Sequence, residues 1–202
     1  MKDLVVYVHG KGGDAEESEH YRPLFPDDEV VGLVYRAFTP WEAGKEIHDA
    51  VVKLKGGRKD LILIANSVGA FFCMNAEIEE LIRKAYFVSP IVDMEKLIRD
   101  MMTWAGTTEE ELQRKGTIPT ESGDDLSWDY LCYVRRRPVK WDVSTEILYG
   151  RQDRLVSFET IEAFAKKTRA GLTVMNNGEH WFHTEEQTRF LDDWIRNKQR
   201  DA

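Results

Sequence analysis

The sequence predicts a three-layer α/β sandwich: a mostly parallel sheet of about six strands, helices on both faces, and a small helical lid. Three observations carry this. Six short runs are apolar without polar alternation, the pattern of strands covered on both faces. The segments between them carry apolar residues on one face only, the pattern of surface helices. One stretch, residues 93–140, is far longer than a single crossover needs. With 202 residues, the chain is expected to form one domain over residues 1–202, with 93–140 inserted in it as the lid.

In chain order, residues 4–8 are a first strand and 30–35 a second. Residues 41–54 then read as a helix with Ile47, Ala50, Val51 and Leu54 on one face, stopped by Gly56 and Gly57. Residues 61–65 are the third strand, followed by a largely apolar helix over 71–82. Residues 85–88 are the fourth strand. The insertion carries helical pieces near 94–104 and 109–115, a polar turn around Gly123, and a further segment over 128–134. Residues 146–149 are the fifth strand. Ser157 is placed to cap a helix over 158–168. Residues 172–175 are the sixth strand, and Thr184 with Gln187 suggests a capping box on a last helix to Asn197. No internal repeats or linkers interrupt this order.

Composition excludes several classes. The net charge of −8 argues against a nucleic-acid partner, which needs a basic stripe; Arg135, Arg136 and Arg137 are too few and too close to acidic neighbours. An acidic surface also makes an anionic membrane a poor partner. No apolar stretch approaches the ~18 residues of a membrane-spanning helix. Met1 to Leu4 enters a strand at once and does not read as a signal peptide. Two cysteines, Cys73 and Cys132, form no framework, and a reduced cytoplasmic setting is expected. No cofactor is expected, and the scattered histidines offer no metal site.

The residues that bear chemistry fall just past strand ends. Ser67 lies in Ala65-Asn66-Ser67-Val68-Gly69, between the apolar third strand and an apolar helix. A tight turn there exposes a serine hydroxyl above the sheet edge, where a base can activate it. The plain alternative is that Ser67 only caps the helix. His9-Gly10-Lys11-Gly12-Gly13 follows the first strand. Its glycines let backbone N–H groups turn toward a ligand, and with the N–H of Val68 they can form an oxyanion hole. Neither the Walker A spacing nor a GxGxxG fingerprint is present. Asp153, past the fifth strand, can orient a histidine, or can pair with Arg151 or Arg154. Asp142 and Asp124 are weaker candidates. His180, past the sixth strand, is the expected base and His183 its rival, while His9 is placed to support the glycine loop. His20 and His48 are expected to face solvent.

Serine, aspartate, histidine is the chain order of the α/β-hydrolases. With Gly150-Arg151-Gln152-Asp153-Arg154-Leu155-Val156 and Gly178-Glu179-His180, the chain resembles small bacterial esterase-like members of that fold. The resemblance runs from His9-Gly10 through Ser67 and Asp153 to His180. It departs from the family pattern at Ala65, where glycine is usual, and lacks the two strands that often precede the first. It implies Ser67 as nucleophile, His180 as base, Asp153 as acid and 93–140 as lid.

The expected activity is hydrolysis of a small-molecule ester through an acyl-enzyme. A thioesterase, an acyltransferase, a small peptidase or a non-catalytic binding protein on the same fold are the alternatives. The pocket is expected to be apolar, with Trp181, Phe72, Trp104 and Trp128 as contributors. Neither substrate nor oligomeric state is legible.

Overall fold

A computed structural model describes residues 3–57, 61–121 and 123–200. The chain folds into two compact units, Met1–Val92 with Trp141–Ala202, and Asp93–Lys140.

The first unit holds a six-stranded sheet. Its strands are β1 (Leu4–Val8), β2 (Glu29–Gly32), β3 (Leu61–Asn66), β4 (Lys84–Val88), β7 (Thr145–Gly150) and β8 (Gly171–Met175). They lie in the order β2-β1-β3-β4-β7-β8, every neighbouring pair parallel. Helices α1 (Pro40–Lys55), α2 (Val68–Cys73), α6 (Phe158–Thr168) and α7 (Glu185–Arg200) connect and flank them. This is the sandwich expected from the apolar runs. All five residues of β1, and Leu61 to Ala65 in β3, are buried. Each large side chain so buried contributes ~1.5–3 kcal/mol.

The two faces of the sheet are covered by different elements. On one, Val5, Tyr7, Ile62, Ile64, Tyr86 and Leu148 pack with Leu191, Trp194 and Ile195 of α7. Tyr21, Leu24 and Phe25, from short 3-10 turns after β1, join that cluster. On the other, α1 packs against α2, and Phe87 of β4 lies against Trp141 with ring centroids 5.5 Å apart.

Three elements differ from the sequence reading. β2 stops at Gly32, short of Tyr35, because the chain crosses over it there: a Cβ at Gly32 would collide with the Ala15 carbonyl. The helix expected over 71–82 is instead α2, ending at Cys73, followed by turns and a 3-10 turn at Glu79–Leu81. Helix α1 sets this stop. A Cβ at Gly44 would lie 2.9 Å from the Asn75 carbonyl oxygen, and the His48 ring bonds the Ala76 carbonyl at 2.8 Å. His48 is therefore half-buried, not solvent-facing. The capping box of α7 is only half made. Thr184 Oγ1 accepts from the Gln187 N–H at 3.3 Å, but the Gln187 carboxamide oxygen accepts from His183 N–H instead.

The second unit contains α3 (Met94–Trp104), α4 (Glu109–Lys115), α5 (Trp128–Arg136) and a two-stranded antiparallel pair, β5 (Thr117–Ile118) with β6 (Leu126–Ser127). The pair escaped the sequence reading because two-residue strands leave no periodicity. Asp93, Thr108 and Ser127 cap the three helices with side-chain bonds to backbone N–H groups. Arg135 ties the helices together: its Nε donates to Glu95 Oε1 at 2.8 Å and its Nη2 to Glu109 Oε2 at 2.6 Å. Ser122, in the polar turn, lies outside the described residues.

Candidate active site

The carboxyl ends of β1, β3, β7 and β8 carry the side chains singled out from the sequence. Ser67 follows β3 directly, with φ +49° and ψ −121°, a region β-carbon residues rarely occupy. Three bonds hold it there: Ser67 N–H donates to the Val88 carbonyl at 3.0 Å, and the N–H groups of Ile91 and Ala70 donate to the Ser67 carbonyl at 3.1 and 3.2 Å. Gly69 permits the turn. A Cβ there would lie 2.9 Å from the Val8 carbonyl oxygen and closer still to that of His9.

The serine hydroxyl does not cap α2. Ser67 Oγ lies 2.8 Å from His180 Nε2, and His180 Nδ1 lies 2.6 Å from Asp153 Oδ2. The Asp153 side chain is fully buried, and its other oxygen accepts the backbone N–H groups of Leu155 at 2.7 Å and Val156 at 3.0 Å. A carboxylate facing Nδ1 fixes the proton on that nitrogen. Nε2 is left as acceptor, so Ser67 donates to it.

The rivals are placed elsewhere. His183 Nδ1 bonds the Trp181 carbonyl at 2.7 Å and its ring stacks on Trp181. His20 Nε2 pairs with Asp192 at 2.8 Å. Arg151, an alternative partner for Asp153, lies over the Phe158 ring at 4.1 Å. Asp142 acts electrostatically on Glu79, whose pKa is raised chiefly by burial, and Asp124 belongs to the second unit.

The glycine loop lies against the serine. A Cβ at Gly10 would lie 3.1 Å from Ser67 Cβ. The Gly10 carbonyl accepts from His9 Nδ1 at 2.8 Å and from Gly13 N–H at 3.3 Å. Those two bonds fix the peptide plane between Gly10 and Lys11. His9 stacks on Tyr35, the buttress expected of it. Val68 N–H opens helix α2 beside Ser67.

Gly150 sets the spacing of the two loops behind the serine. A Cβ there would lie 2.5 Å from the Glu179 carbonyl oxygen and closer still to that of Gly178. Gln152 N–H also donates to the Gly178 carbonyl at 2.8 Å. Gly150→Ala is therefore expected to push the Asp153 and His180 loops apart. About a 1 Å misplacement costs on the order of 100-fold in rate. Kinetics on a small ester, with a melting curve to separate the rate effect from unfolding, checks this.

A cavity of about 490 Å³ opens at Ser67 and His180, lined among others by Gly10, Lys11, Trp181, Phe182 and Leu191. Of the aromatic contributors expected, Trp181 lines it. Phe72 is sealed in the core at 2 % exposure, and Trp104 and Trp128 belong to the second unit. Polar side chains line it as well, from Tyr7, Glu17, His20, Tyr21 and Asn66. Asn66 Nδ2 donates to Tyr7 Oη at 2.9 Å, and Tyr7 donates to Glu17 Oε2. Burial pushes the Tyr7 and Tyr21 hydroxyls well above the usual tyrosine pKa, Tyr21 and Glu17 adding to the effect on Tyr7. Both stay neutral, and Tyr7 is the donor to Glu17. The one signal available beforehand was a tyrosine inside an apolar strand, since a buried hydroxyl needs a partner.

Burial alone also raises the Cys73 thiol pKa, which makes it inert, and both cysteines are free. Among the described residues no cluster of His, Cys, Asp or Glu could hold a metal, and no helix is long and apolar enough to cross a membrane.

No family model and no curated sequence matches the chain. Solved structures do. Est1E from Butyrivibrio proteoclasticus superposes with a TM-score of 0.77 at 17% identity, over 99% of this chain and 88% of that one. Alpha/beta hydrolase domain-containing protein 10 from mouse gives 0.71 at 12%, over 98% and 90%. A thermophilic esterase from Thermogutta terrifontis gives 0.64 at 14%, over 100% and 90%.

Proposed function

We infer the function from the α/β-hydrolase fold that the chain has and from the contacts of Ser67. The protein is a serine hydrolase that cleaves small esters, with Ser67 as nucleophile, His180 as general base and Asp153 orienting His180. The observation that carries this reading is the unbroken chain of contacts from Ser67 Oγ to His180 Nε2 and from His180 Nδ1 to Asp153, at the mouth of a cavity. Fold neighbours described as esterases support it.

In this reading Ser67 Oγ forms a bond to the ester carbonyl carbon while its proton passes to His180 Nε2. The carbonyl oxygen becomes an oxyanion, held by N–H groups of Val68 and of the Gly10–Lys11 turn. Each such donor is worth ~2.7–4 kcal/mol. The C–O bond then breaks, and His180 returns its proton to the leaving alcohol. Water repeats the sequence: His180 takes one water proton, the hydroxyl oxygen bonds to the acyl carbon, and Ser67 leaves with the proton restored. Asp153 stays ionised throughout and stabilises the transient imidazolium. Trp181, at 72% exposure on the cavity rim, supplies apolar surface to the substrate.

Intact-mass analysis after fluorophosphonate treatment tests the reading. One adduct on the wild type and none on Ser67→Ala is expected. Well-folded wild type that takes no adduct, or equal labelling of both proteins, overturns it.

A further inference from the structure

The polar side chains of the cavity bear on what the substrate carries away from its ester bond. The relay along them has a fixed direction. Asn66 Nδ2 donates to Tyr7 Oη, so the Tyr7 proton goes to Glu17, and Tyr7 is fully buried. The Glu17 carboxylate is thereby anchored through one oxygen. Its other oxygen receives no hydrogen bond from the described residues. It lies against Gly13, where a Cβ would come within 2.8 Å of it. Glycine at that position leaves room for the carboxylate, which is exposed and lines the cavity.

The aromatic lining suits a cation. Trp181 and Phe182 line the same cavity with accessible rings, and aromatic surface beside a carboxylate is favourable for an ammonium group.

We propose that Glu17 forms a subsite for a primary ammonium group on the substrate, so that the protein favours amino-substituted esters over their neutral isosteres. The bond cleaved rests on the serine-hydrolase reading, but the binding preference does not.

Chemical-shift titration of the wild type with pentylammonium and with 1-pentanol at neutral pH tests the subsite directly. Pentylammonium is expected to bind about five- to tenfold more tightly, the size of one partly exposed charge-assisted contact. Glu17→Gln, whose carboxamide oxygen can still accept from Tyr7, is expected to abolish that preference. Tyr7→Phe, which removes the anchor and keeps the charge, is expected to retain it. A purely structural role for Glu17 would give the opposite split. The same ratio is expected in kcat/KM for 4-nitrophenyl 6-aminohexanoate over 4-nitrophenyl heptanoate. Equal affinities in the wild type, no binding of the ammonium compound, or a preference that survives Glu17→Gln each overturns the proposal. A protein that takes the fluorophosphonate without preferring the amine loses this subsite and keeps the hydrolase reading. One that prefers the amine but takes no fluorophosphonate does the reverse.

Discussion

Ser67→Ala is expected to lower kcat/KM on a small activated ester about 10⁶-fold, the loss typical of removing a serine nucleophile, with little change in melting temperature. Ser67→Gly is expected to be as inactive and yet to melt a few degrees higher. The two variants part because Ser67 sits at φ +49°. Holding a β-carbon residue in such a region costs ~1–3 kcal/mol. Alanine keeps that strain and glycine removes it. Against the gain stands the extra freedom glycine gives the unfolded chain, ~0.5–1 kcal/mol. The net is about 1 kcal/mol, or roughly 2–4 °C for a protein of this size. Steady-state kinetics and calorimetric melting on the three proteins check both halves. A glycine variant that melts below the wild type would mean the turn is not strained in solution.

The same turn explains why this part of the molecule was legible in the sequence. An apolar strand, a serine flanked by small residues and an apolar helix leave little choice of backbone path. Asp153 and His180 were legible for a related reason: each follows a strand, and parallel strands bring all their carboxyl ends to one edge. The geometry then joins these two with Ser67 and leaves His183 and His20 aside. The polar side chains of the cavity could not be read that way. Tyr7 finds Glu17 ten positions on and Asn66 fifty-nine positions on. Its strand reads as apolar throughout, so beyond the tyrosine itself nothing local marks a polar side chain as facing a cavity. The early end of α2 was hidden for a similar reason. It depends on Gly44 and His48 of α1 reaching the carbonyls of Asn75 and Ala76, a tertiary effect that helix propensity does not contain. Sheet order is likewise a property of packing, since β1 lies between β2 and β3 although no residue in it names its neighbours.

Asp153→Asn is expected to lower kcat about 10⁴-fold while the fold and the Ser67 hydroxyl remain in place. The local hydrogen bonds say why an isosteric change should matter so much. Oδ1 of Asp153 accepts two backbone N–H groups, from Leu155 and Val156. An asparagine must keep its carbonyl oxygen on that side, because the flipped amide would set its NH2 against two donors. Its NH2 then faces His180 Nδ1, now 2.6 Å from a carboxylate oxygen. A donor there turns Nδ1 into the acceptor and moves the ring proton to Nε2. Nε2 lies 2.8 Å from Ser67 Oγ and, once protonated, cannot take the serine proton. The variant also loses the negative charge that stabilises the imidazolium formed during the reaction. Single-turnover kinetics on a 4-nitrophenyl ester, beside a melting curve, checks the expectation. A fall below about tenfold in a folded variant would mean that Asp153 serves the loop through Leu155 and Val156 and not the histidine.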